Sequence, residues 1–338
     1  MSFFSARKAG AVIGALMAVA LAGCEQPPHE TAQNGYRGTG MNQIVNKETA
    51  EAKRVANVVP EAQPPADGDG QRASQAYQNV QVLGHLSEGE FLRVMTAITE
   101  WVAPEQGCAY CHNIENLAED SVYTKKVARR MLQMTQTINA NWTAHVGQTG
   151  VTCYTCHRGQ AVPQNTWFSQ KGHEARGSAA DPMGHNQPTK ANGYASLPLD
   201  PLTSLLLKDG QIRVAGKAAV STSGQGESIQ QTETVYSLMN HLSSSLGVNC
   251  TFCHNSRSFQ SWEQSPPQRV TAWHGIRMVR GINQTYLDPL QPVYPPERLG
   301  PLGDAGKVGC ATCHQGVNKP LYGVSMFKDY VKELTPPK

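Results

Sequence analysis

Eight of the nine cysteines in this 338-residue sequence fall into pairs three positions apart, each pair followed at once by a histidine. The four segments are Cys108-Ala109-Tyr110-Cys111-His112, Cys153-Tyr154-Thr155-Cys156-His157, Cys250-Thr251-Phe252-Cys253-His254 and Cys310-Ala311-Thr312-Cys313-His314. Two thiols at this spacing can each add across a vinyl group of one porphyrin, and the next side chain then presents an imidazole to the iron. A zinc ribbon would not place a histidine directly behind every second cysteine, and a thioredoxin-like redox pair needs only one copy. The motifs therefore predict four covalently bound haem c groups, with His112, His157, His254 and His314 as proximal ligands.

The sixth iron position decides what such a protein does. An open iron binds small ligands or performs chemistry, whereas an iron closed by a second side chain can only exchange electrons, at a higher potential when that side chain is a thioether. Met95 lies 13 residues before Cys108 and Met239 lies 11 before Cys250, each on a predicted helix ending just ahead of its motif. Recurrence in two repeats favours ligation over core packing, the more common role of a single methionine. For the second haem, Met131 and Met134 sit one helical turn apart on a shared face, and spacing does not choose between them. Aligning the halves on Ile138-Asn139 and Ile282-Asn283 sets Met278 opposite Met134 and Gly275 opposite Met131. If Met131 is the ligand, the fourth haem has no matching thioether and takes its ligand from elsewhere. Among the free histidines, His145 in Trp142-Thr143-Ala144-His145-Val146 stands between two ordered elements with apolar neighbours, the best donor across the halves.

Helices must position these groups. A capping box at Ser87-Glu88-Gly89-Glu90 starts a helix carrying Phe91, Leu92, Met95, Ile98 and Val102, which Pro104 ends. Further helices are expected over about 123–139, 232–246 and 266–286, the last with Ser265 as cap and Pro266 in its first turn. The order helix, motif, helix, motif thus occurs twice. The expected class is mainly α with extensive loops: a multihaem cytochrome c of two pseudo-symmetric halves, each with two helix-plus-motif haem-binding segments. The halves span 80–160 and 227–338, joined by a Gly-, Pro- and Asn-rich connector over 161–226 with one short strand near Ile212–Val214. Residues 24–79, polar and without a sustained period, read as an extended arm.

Residues 1–23 carry Arg7 and Lys8 and then a short apolar run, and Leu21-Ala22-Gly23-Cys24 has the form of a lipoprotein cleavage site. Cys24 is then the lipidation point, bearing diacylglycerol, and the chain is anchored by lipid. Arg7 and Lys8 leave with the signal peptide, and the net charge falls from +3 to +1. Eight or so propionates make the loaded protein more acidic still, so a nucleic-acid partner is excluded and a basic soluble donor is favoured.

Motifs, lipobox and ligand pattern together resemble the tetrahaem cytochrome c subunit of the photosynthetic reaction centre of purple bacteria, over about residues 80–330. The resemblance implies that Met95, Met131 and Met239 are distal ligands of three His/Met haems and that His145 serves the fourth, making it bis-histidine. It also implies a seat on the L and M subunits at the periplasmic face of the inner photosynthetic membrane. Electrons would pass from a soluble donor, a small cytochrome c or a high-potential iron-sulfur protein, to the photo-oxidised bacteriochlorophyll special pair. Arg129, Arg130, Arg277 and Arg280, on the haem-facing helices, are candidate propionate partners, with solvated helix faces as the alternative. The rivals are a multihaem reductase, which needs an open iron, and a lipid-anchored respiratory carrier, which differs only in its docking partner.

Overall fold

Four long helices carry the fold in the computed structural model, which describes residues 28–33, 42–171, 186–189, 192–214 and 228–337. A small antiparallel hairpin precedes them, β1 (His29–Gln33) with β2 (Asn42–Asn46), and leads into α1 (Lys47–Ala56). The first half is built on α2 (Glu88–Val102) and α3 (Tyr123–Asn141), the second on α4 (Ile229–Leu246) and α5 (Gln268–Ile282). Each motif follows one of these helices.

Local chemistry sets the ends. The Ser87 hydroxyl accepts from Glu90 N while Glu90 accepts from Ser87 N, the reciprocal cap expected from the sequence. Ser228 caps α4, and Gly247 ends it at φ +65, where the chain passes so close to the Gly316 carbonyl that a side chain would collide. Helix α5 starts later than expected: Pro267 precedes it, while the Ser265 hydroxyl donates to the Ser261 carbonyl and accepts from Arg269. It runs on into a π turn, Asn283–Leu287.

Two asparagines hold the halves in the same way. Asn139 Nδ2 donates to the carbonyls of Val151 and Leu334 while its Oδ1 accepts from Val151 N. Asn283 repeats the set with the carbonyls of Val308 and Leu206 and with Val308 N. Val151 and Val308 each stand two residues before a motif's first cysteine. The alignment of Ile138-Asn139 with Ile282-Asn283 is therefore a structural equivalence.

The segments after the second and fourth motifs are exchanged between the halves. Leu202, Leu205 and Leu206, in the expected connector, are buried with Val235, Leu238, Ile276 and Val279 of the second half. Leu321, Met326, Tyr330 and Leu334, expected in the second half, are buried with Val94, Trp101 and Leu132 of the first. A third apolar cluster, with Ile138, Met278 and Ile282 at its centre, joins α3 to α5. The boundary at 227 thus divides the sequence but not the packing. Ile212 and Val214 pack against the second core without forming the expected strand, and among the described residues no strand pairs with them.

The described part of the expected arm also departs from an extended tether. Helix α1 forms because Asn46 accepts from Glu48 N and Thr49 N and because its interior is Ala, Glu, Lys and Arg. Residues 57–63 then lie on the first half, with the Asn57 carboxamide oxygen accepting from Arg158 and Gln63 N donating to the Tyr330 hydroxyl. Cys24 and the expected signal peptide lie outside the described residues.

Arg93 fastens the exchanged tail. Its guanidinium is 2.9 Å from Glu333, donates to the carbonyls of Gln63, Pro64 and Asp329, and lies over the Tyr330 ring. The side chains of the pair are only 9% and 6% exposed, so removing one partner strands a buried charge. Arg93→Met should lower stability by ~3–5 kcal/mol, read as a lower urea midpoint of the haem-loaded protein. Arg93→Met/Glu333→Met should recover part of the loss, and an unchanged midpoint in the single variant would show that the tail is held without this pair.

Candidate functional site

The motifs take two conformations, paired across the halves. The second and fourth form short helices, Cys153–His157 and Cys310–His314. Thr155 and Thr312 accept from the backbone N–H of Thr152 and Gly309 at 3.0 and 2.9 Å, and Arg158 and Gln315 end the turns at φ 51 and 49. The first and third motifs begin as 3-10 turns, Gly107–Tyr110 and Cys250–Phe252.

Every motif histidine is oriented through Nδ1. His112 lies 3.1 Å from the Leu117 carbonyl and His254 3.0 Å from that of Phe259, both five residues on. His157 lies 2.8 Å from the Gln160 carbonyl and His314 3.0 Å from that of Val317, both three residues on. A carbonyl only accepts, so Nδ1 carries the proton and Nε2 keeps its lone pair for a metal. Burial pushes the pKa of His157 and His254 down and that of His314 down to about 4, so these imidazoles are neutral at neutral pH. These carbonyl acceptors were not evident in the sequence, and only the loop lengths after each motif hinted at them.

Burial likewise pushes the Cys153 and Cys310 thiols up to about 12 and Cys253 up to about 11, which keeps them protonated. Cys156 and Cys313 are joined as a disulfide with Cα atoms 4.4 Å apart, so the second and fourth motifs stand back to back. A sulfur in a disulfide cannot add to a vinyl group, so with haem attached at both motifs Cys156 and Cys313 would be thioethers and this bond would be absent.

A cavity of ≈ 580 Å³ opens between α2 and α3, within the usual range for cofactor sites. Cys108, Cys111 and His112 line it from the first motif and Cys153 and His157 from the second, with both Met95 and Met131 on its wall. Met131 and Met134 both pack against the central apolar cluster in which Met278 is buried, but Met134 is not part of the cavity wall. The structure so separates two methionines that spacing left equivalent. Met239 packs against the second-half core from α4.

His145 crosses to the other half. It sits in the turn Thr143–Val146 after α3, its Nδ1 donating to the Thr271 carbonyl of α5 at 2.9 Å. Its ring centre is 6.1 Å from that of His314, at 65°. Two metal–nitrogen bonds of ~2 Å, with the reach from each ring centre to its nitrogen, account for that gap, so the pair fits one iron between two imidazoles. Among the described residues no three His, Cys, Asp or Glu side chains gather as a metal cage.

The four arginines fare less well as propionate partners. Arg129 is paired to Asp120 at 2.8 Å, Arg130 donates to the Thr285 carbonyl, and Arg280 donates to the carbonyls of Leu205 and Gly210. Arg277 lies over the Trp273 ring, 4.6 Å from its centre. Backbone acceptors and Asp120 already take up three of the four.

The family described as photosynthetic reaction centre cytochrome C subunit matches residues 25–334. The chain is 52% identical over 314 residues to the photosynthetic reaction center cytochrome c subunit of Rubrivivax gelatinosus, covering 93% of this chain and 86% of that one. It is also 52% identical to the subunit of the same name from Thermochromatium tepidum, over 92% of this chain and 77% of the relative. The subunit from Roseobacter denitrificans is 44% identical over 96% and 90% of the two chains.

Proposed function

Since the chain belongs to the photosynthetic reaction-centre cytochrome c subunit family, an electron carrier and not an enzyme, we propose that it holds four haem c groups in a closed, six-coordinate row. Through them it would pass electrons from a soluble periplasmic donor to the photo-oxidised special pair. Haem c, when bound, supplies a reversible one-electron couple. The chain supplies the rest. The eight motif cysteines tie the groups to the backbone, and His112, His157, His254 and His314 bind from one side with Nδ1 fixed by backbone carbonyls. Met95, Met131 and Met239 close three sites with thioethers, and His145 closes the fourth with an imidazole. The observation that carries this reading is the His145–His314 pair at 6.1 Å, because an iron clamped between two imidazoles has no place for substrate.

The same reading assigns Cys24 as the acylated N-terminus of the mature chain, held at the periplasmic face of the photosynthetic membrane and seated on the L and M subunits. No helix among the described residues is long and apolar enough to cross a membrane, so a lipid on Cys24 and the docking contacts would share the attachment. The donor would be a small cytochrome c or a high-potential iron-sulfur protein. A multihaem reductase does not fit the family, and a purely respiratory carrier does not fit its name.

Two measurements test the reading together. The intact mass of the mature protein should equal that of the chain from Cys24 plus four haems and at least one diacylglycerol. In membranes, a flash should oxidise haems of this subunit as the special pair is re-reduced, and carbon monoxide should leave the reduced spectrum unchanged. Fewer than four haems, or a carbon monoxide adduct in the native protein, would overturn it.

A further inference from the structure

Gly275 stands in the middle of α5 with an ordinary helical φ, and it is buried. Glycine is the poorest helix former after proline, and no left-handed conformation here calls for it. Space does. A Cβ built on Gly275 would fall 2.5 Å from Cε1, 2.8 Å from Nδ1 and 3.1 Å from Nε2 of His145. Retreat of the ring would break its Nδ1 bond to the Thr271 carbonyl, one helical turn earlier on the same helix. The other glycines within long helices, Gly89 and Gly281, would meet nothing closer than 3.5 Å.

The equivalence of Asn139 and Asn283 gives this gap its meaning, since it places Gly275 of α5 where α3 carries Met131. In the first half that position sends a thioether into the cavity. In the second it is empty of side chain, and the imidazole from the other half lies in the space. We propose that Gly275 is the positioning residue that gives the sixth place on the fourth haem to His145 and withholds it from α5 itself. The asymmetry between one bis-histidine site and three His/Met sites then originates at this glycine as much as at the histidine. The inference rests on the reading of His145 as that ligand.

The test uses the full-length, haem-loaded protein, its four midpoint potentials and the paramagnetic resonance spectrum of its low-spin ferric haems. Gly275→Ala should shift one potential and remove the bis-imidazole signal while the three His/Met haems keep theirs. In a His145→Ala background, where the ring is gone, Gly275→Ala should change nothing further. Should Gly275→Ala alone fail to accumulate, His145→Ala/Gly275→Ala should accumulate as well as His145→Ala does. Four parental potentials with the bis-imidazole signal intact in Gly275→Ala would overturn the proposal, as would an equal effect with and without the ring. His145→Ala leaving every potential in place would instead sink the ligand reading beneath it.

Discussion

Replacing His145 by methionine should raise the midpoint potential of one haem c and leave the other three close to their parental values. An imidazole donates more strongly to ferric iron than a thioether does, so exchanging it for sulfur favours the reduced state. The shift should be on the order of 0.1 V, upward, well inside the ~0.8 V that axial ligands span. Confinement to one haem follows from the geometry, since His145 lies 6.1 Å from the His314 ring and beside no other motif histidine that shares a ring contact with it. A potentiometric titration followed in the α-band resolves the four transitions. No movement in any of them would remove His145 from the ligand set, and movement in two would mean that the substitution had repacked the turn Thr143–Val146. Loss of the Nδ1 bond to Thr271 is part of the change, so His145→Gln, which keeps a polar end without an imidazole, separates ligation from anchoring: only methionine should move the potential upward with the iron still six-coordinate.

The sequence carried the chemistry of this protein more fully than its packing. Motif spacing is covalent geometry and needs no tertiary context, which is why all four Cys-x-x-Cys-His segments could be read as candidate attachment sites from the sequence alone. Helix α2 was equally legible because Ser87, Glu90 and the apolar period act within a few residues. The reach of His145 was visible only by subtraction, from a glycine standing where the other half has Met131. Between Met131 and Met134 the periodicity was silent, because both lie on one helix face and only the neighbouring cavity distinguishes them. What stayed hidden depends on distant partners. The tail from Leu321 to Leu334 and the run from Leu202 to Leu206 show no strong period, and each is ordered by burial in the half other than the one whose last motif it follows. Helix α1 was missed for a different reason: its apolar residues are three alanines and an exposed Val55, too little for a clear apolar stripe, and its stability draws on the Asn46 cap and on Arg54 pairing with Glu30 and Glu51.

Alanine at both Cys153 and Cys156 should give a subunit with three haems in which the first site no longer exchanges electrons rapidly with the third and fourth. The order of the sites decides the outcome. First and second motifs line one cavity, second and fourth stand back to back through Cys156 and Cys313, and the repeated loop lengths and asparagine contacts make the third to the fourth what the first is to the second. The row is therefore first, second, fourth, third, and the second is an inner member. Tunnelling falls exponentially with separation, so emptying an inner place costs orders of magnitude in rate, whereas emptying an end place only shortens the row. Alanine suits the test because Cys153 packs against the apolar core of the first half, which a polar replacement would disturb. The measurement is the set of haems bleached by a train of flashes in membranes: only those on the special-pair side of the gap should respond, with the remainder staying reduced. The paired control, Cys108→Ala/Cys111→Ala, also loses one haem but should leave the remaining three in rapid exchange. If both variants behaved alike, the order of sites would be wrong, since a row cannot be cut in its interior and at its end with the same consequence.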